Sequence, residues 1–106
     1  MAKYLVQASY TAEGIKGLQK EGAASRQKQA QKVAEALGGK CDGFHWAFGA
    51  QDVVAIFDLP DNVSAAAMAF AVSATGLIRA TTTPLLTAAE ADQALKKSVA
   101  FKPPGG

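Results

Sequence analysis

One cysteine, Cys41, and one histidine, His45, stand in a chain of 106 residues. A lone thiol forms no internal disulfide and anchors no zinc motif, so a reducing compartment is the expectation. A lone imidazole excludes a metal site built from several histidines of one chain. Charge of either sign is also scarce in excess: 11 basic residues face 9 acidic ones, a net of +2. The lysines and arginines are scattered among the acids, which describes solvated faces and not the clustered basic footprint that nucleic acid requires. The longest apolar run, Ala65–Val72, is far too short to span a bilayer. No basic stretch followed by an apolar one opens the chain. The expectation is a cytoplasmic protein with neither a nucleic-acid nor a membrane partner. P-loop, Gly-x-Gly-x-x-Gly, His-Glu-x-x-His and nucleophile-elbow patterns are all missing, which disfavours kinases, dinucleotide-binding proteins and zinc proteases. No cofactor and no metal are expected.

What is present is ordinary globular material: 49% hydrophobic and 19% charged residues, enough for one folded domain and too few residues for two. Lys3–Tyr10 alternates as a strand, with Tyr4, Val6, Ala8 and Tyr10 on one face and Leu5, Gln7 and Ser9 on the other. Thr11 can cap a short helical turn reaching Leu18. Ala23–Leu37 reads as a helix from the spacing of Ala30, Val33, Ala34 and Leu37, closed by Gly38-Gly39, and its stripe extends back through Arg26. Lys40–Phe48 reads as a second strand with Phe44, Trp46 and Phe48 buried by size, and with Cys41, Gly43 and His45 on the opposite face. A short turn then gives a hairpin with Asp52–Asp58. Asp61 caps an alanine-rich helix over Asn62–Thr75. Leu77–Leu86 is a fourth strand whose Pro84 belongs on a sheet edge. Thr87 and Glu90 have capping-box spacing ahead of a last helix to Lys97.

The order is β-α-β-β-α-β plus a terminal helix. This predicts an α+β, ferredoxin-like domain over residues 1–98 with a flexible C-terminal tail over 99–106. Both main helices cover one face of the sheet. The other face receives His45, Gln7, Ser9, Arg79, Thr81 and Thr83, with either Val54 and Ile56 or Val53, Ala55 and Phe57. Such a face is too apolar to be simply wet and too polar for a plain core. It suits packing against a second subunit, or a pocket. The helix over Asn62–Thr75 has no polar side, so it too asks for a further contact.

Several segments in this order resemble the GYD-domain family of small bacterial and archaeal proteins. They are Lys3-Tyr4-Leu5-Val6, Tyr10-Thr11-Ala12-Glu13-Gly14, Leu37-Gly38-Gly39-Lys40, Phe48-Gly49-Ala50-Gln51-Asp52-Val53-Val54, Asp58-Leu59-Pro60-Asp61-Asn62 and Thr81-Thr82-Thr83-Pro84-Leu85-Leu86-Thr87. The chain departs from the family's Gly-Tyr-Asp signature at Gln51, which stands where the tyrosine is expected. The resemblance implies a dimeric α/β barrel and supplies no established reaction.

The candidate residues follow from the open face. Arg79 and Thr81, with Gln7 and Ser9, could hold a carboxylate or phenolate. Arg26 could anchor an anion or merely lay its stem along the core edge. Asp52 could orient a partner or cap its turn. His45 could be a general base or a polar residue at an interface. The expected function is a homo-oligomer binding a small, partly apolar anionic metabolite in its barrel. The alternatives are a cofactor-free oxygenase or isomerase with His45 as base, and a purely structural oligomer.

Overall fold

Alternation along β1 (Ala2–Tyr10) decides which way the whole sheet faces, because every cross-strand partner must point to the same side. The computed structural model describes residues 1–106. After β1 come α1 (Ala12–Glu21), α2 (Ala23–Ala36), β2 (Lys40–Trp46), β3 (Val53–Leu59), α3 (Asn62–Ser73), β4 (Ile78–Leu85) and α4 (Ala88–Leu95). The strands form one antiparallel sheet in the order β2-β3-β1-β4. Helix α2 lies over β2 and β3, and α3 over β3 and β4. This is the ferredoxin-like α+β arrangement.

Register fixes the covered face. Tyr4 pairs with Phe57, Val6 with Ala55 and Thr82, and Ala8 with Val53 and Ala80. Phe44 and Trp46 of β2 stand beside Ala55 and Val53. Ala34 of α2 and Ala65 and Met68 of α3 close over this layer. The Tyr4 hydroxyl, at the bottom of the core, donates to Asn62 Oδ1 at 2.7 Å, so its burial leaves no orphan group. The layer is incompletely filled. About 100 Å³ stays empty among Val6, Ala30, Val33, Met68, Ala69 and Val72.

Helix ends follow local chemistry. Thr11 Oγ1 accepts from the Gly14 N–H at 3.2 Å and starts α1. That helix runs past Leu18 to Glu21, where Gly22 at φ 93° breaks it from α2. Asp61 accepts from the Ser64 N–H at 2.8 Å, and Thr87 and Glu90 form the reciprocal capping box of α4. Pro84 lies on β4, an edge strand, as its missing N–H demands.

Strand β2 departs from expectation in two places. It ends at Trp46, because the Ala47 N–H closes the hairpin on the Asp52 carbonyl at 2.7 Å. Phe48 therefore has no strand partner and stands wholly exposed on the turn, not in the core. Near its start the strand carries a bulge: Cys41 pairs with Phe57 and Gly43 with Ile56, leaving Asp42 over. The extra residue reverses parity, so Cys41 joins the covered face and not the His45 face. Burial pushes its thiol pKa up, and the thiol donates to the Gly43 carbonyl at 3.5 Å.

Two apolar surfaces stay uncovered. On α3, Val63 and Phe70 point outward. Beyond β4, the arm formed by α4 and the following residues buries none of its helical side chains. Leu95, Val99 and Phe101 are all exposed on it, as is Leu86 just ahead of the helix. The arm makes the molecule long, with a radius of gyration of 16.8 Å, against roughly 13 Å for a compact chain of this size. No helix is long and apolar enough to cross a membrane.

Candidate functional site

The uncovered face of the sheet is a grid of four rows, read across β2, β3, β1 and β4. The first row is Lys40, Asp58, Lys3 and Leu85; the second is Gly43, Ile56, Leu5 and Thr83. The third is His45, Val54, Gln7 and Thr81. A last row has Ser9 opposite Arg79, with Asp52 tied in from the hairpin end. Val54 and Ile56 are thus the β3 residues of this face, which settles the choice that parity alone left open. The middle is apolar and half-buried, and its surround is polar.

At the β4 edge the grid opens into a groove of about 590 Å³, lined on the bare face by Gln7, Ser9, Gln51, Arg79 and Thr81 and running round the edge to Ser73, Gly76, Ile78 and Ala80. Four of the residues singled out in the sequence, Gln7, Ser9, Arg79 and Thr81, therefore come together. The Ser9 hydroxyl donates to Gln51 Oε1 and to the Ala50 carbonyl, each at 3.3 Å. The Thr81 hydroxyl donates to the Gln7 carbonyl at 3.4 Å. Arg79 is exposed and enters none of the chain's ion pairs, so its five N–H donors are free for an anion. Gln51 is a further groove residue, to which the sequence alone assigned no role.

The remaining candidates lie elsewhere. His45 is exposed on the edge strand β2, leaning over Gly43. Three strand spacings and one row separate it from Arg79, roughly 16 Å. One chain does not bring a base at His45 and a cation at Arg79 onto a single small substrate. Asp52 accepts from the Tyr10 N–H at 2.8 Å, and its own N–H donates to the Ala8 carbonyl at 2.8 Å. Its carboxylate pins the hairpin end to β1, a neighbouring strand and not its own turn. Arg26 is on the other side of the sheet, at the edge of the cavity under α2 and α3.

The far end of the grid is charged. Asp42, displaced by the bulge, accepts from Lys3 and lies 3.5 Å from Lys40 Nζ. The Lys3 hydrogen bond, helped by Lys40, holds the Asp42 carboxyl below its usual range, and Asp42 in turn raises Lys3. Asp58 sits 3.6 Å from Lys3 through Oδ2, while its Oδ1 is buried with no hydrogen-bond partner.

These features define a ferredoxin-like domain with a polar groove on a sheet face that its own helices leave bare. The chain belongs to the GYD-domain family, whose model matches residues 4–95 and so runs from within β1 to the end of α4. No match was found among curated proteins or among solved structures.

Proposed function

We propose that this GYD-domain protein works as a homo-oligomer that binds a small, partly apolar, anionic metabolite at the groove around Arg79. The observation that carries the reading is the convergence of Gln7, Ser9, Gln51 and Thr81 on an arginine without a partner. Arginine recognises a carboxylate through two parallel N–H donors, and the side-chain amide N–H groups of Gln7 and Gln51 can complete the shell. Leu5, Val54 and Ile56 lie alongside in the grid and would take the apolar part. A second copy set face to face would bury that half-exposed strip and enclose the groove, giving the barrel that the family resemblance implies.

The test is native mass spectrometry of freshly purified protein, paired with light scattering in solution. The expected result is an oligomer carrying an additional small mass, which Arg79→Gln loses while the assembly persists. A monomer at micromolar concentration would overturn the self-association. An intact oligomer whose bound mass is unchanged in Arg79→Gln would overturn the groove.

A further inference from the structure

The cavity under the helices is on the opposite side of the sheet from the Arg79 groove, and nothing in the reading above uses it. Its walls come from both layers: Val6, Ala8 and Ala55 from the strands, Ala30 and Val33 from α2, Met68, Ala69 and Val72 from α3. Of 17 lining residues 14 are hydrophobic. The three others are Arg26, Gln29 and Thr82, and Arg26 is the only charged one. Arg26 and Gln29 are one turn apart on α2, so both reach the same edge of the space. Each is partly or wholly exposed, whereas Ala8 and Ala55 at the far wall are buried, which makes the α2 edge the mouth.

We propose that this cavity is a second binding site, for a small monocarboxylate with a compact apolar body such as a single ring. Size sets the body. The volume is about 100 Å³, and an apolar cavity of roughly 150 Å³ is known to take a benzene ring. The smaller volume takes a single ring only with part of it standing at the open mouth, and leaves no room for a fused pair. Chemistry sets the head group. Thr82 and Tyr10 bring hydroxyl-bearing side chains to the strand wall, but the charged donor is at the mouth, where a guanidinium and a carboxamide both donate. Arg26 is held only by Glu21, at 3.7 Å between partly exposed side chains. Such a loose surface pair contributes little, and a carboxylate presented from the apolar side can displace it with better geometry. The body of the ligand would fill the space that the core leaves empty, so binding and folding are coupled.

The experiment uses benzoate as the charged probe and benzyl alcohol as its neutral counterpart, each titrated into the whole protein at millimolar concentration. Thermal shift and amide chemical shifts are the readouts. Benzoate is expected to raise the melting temperature and to move signals of Val33, Val72 and Ile78. Arg26→Gln is expected to weaken benzoate about tenfold and to leave benzyl alcohol unchanged. Ala69→Leu, which fills the space, is expected to abolish both without lowering the melting temperature. Should that variant fail to fold, Ala30→Leu serves from the other helix. Arg79→Gln separates this site from the groove and is expected to leave benzoate binding intact. No benzoate binding, binding indifferent to Arg26→Gln and the filling variant, or binding lost in Arg79→Gln would each overturn the proposal.

Discussion

Gly39 and Gly17 differ in what an added methyl group would meet. A Cβ on Gly39 would come within 2.0 Å of the Asp58 carbonyl oxygen, which is backbone and cannot give way. A Cβ on Gly17 meets nothing within 4 Å. Gly39→Ala is therefore expected to destabilise the fold by about 3 kcal/mol, while Gly17→Ala raises stability by up to ~1 kcal/mol through helix propensity. Urea unfolding of the two variants beside the parent checks both signs. Gly14 repeats the Gly39 situation against the Leu77 carbonyl, at 2.2 Å. Both constrained glycines lie in segments that carry the family resemblance, so those segments owe part of their character to close backbone approach. The same holds for Asp52, whose carboxylate serves the Tyr10 N–H and thereby the register of β1 against the hairpin.

At the scale of elements, what could be read in advance was whatever depends on neighbours in sequence. The caps at Thr11, Asp61 and Thr87, the alternation of β1 and the edge position of Pro84 follow from a few adjacent residues each. Asp61 gives this a pH signature. The Ser64 N–H bond holds its carboxyl below the usual range. The stabilisation from this cap is complete above about pH 4 and is lost as pH falls through the lower folded value. Thermal melts across acid pH are expected to show that loss in the parent, and to lack this part of it in Asp61→Asn, which caps without titrating. What could not be read depends on residues far apart. Nothing near Asp42 announces the bulge that moves Cys41 to the covered face, because parity there is decided by β3 across the ladder. Phe48 reads as core until the Ala47–Asp52 bond ends the strand before it. The groove was largely legible, since Gln7, Ser9, Arg79 and Thr81 share a face by alternation. The helix-side cavity was not, since its emptiness arises where alanines of α2 and α3 meet over small strand residues.

At the scale of the whole molecule, only 10 of 106 residues are buried, while an arm of large apolar side chains stands clear of the body. A helix as short as α4 is not stable in water alone, even with a good cap. The arm is thus expected to be held by another copy. Ending the chain at Thr87 is expected to reduce the assembly mass or weaken its concentration dependence, read by light scattering, while the far-ultraviolet signal of the remaining domain persists. An unchanged mass would show that the arm has no part in assembly. The direction in which copies can add is set by the two outer strands. A sheet with free edges is a template for endless strand addition and fibre growth. Here one edge, β2, is kinked and charged at the Asp42 bulge, and the other, β4, carries a proline that cannot donate. Both borders are blunted against continuing the ladder. In the self-association proposed above, a second copy would be left the flat of the sheet, where pairing would close on itself and growth would stop at a finite particle.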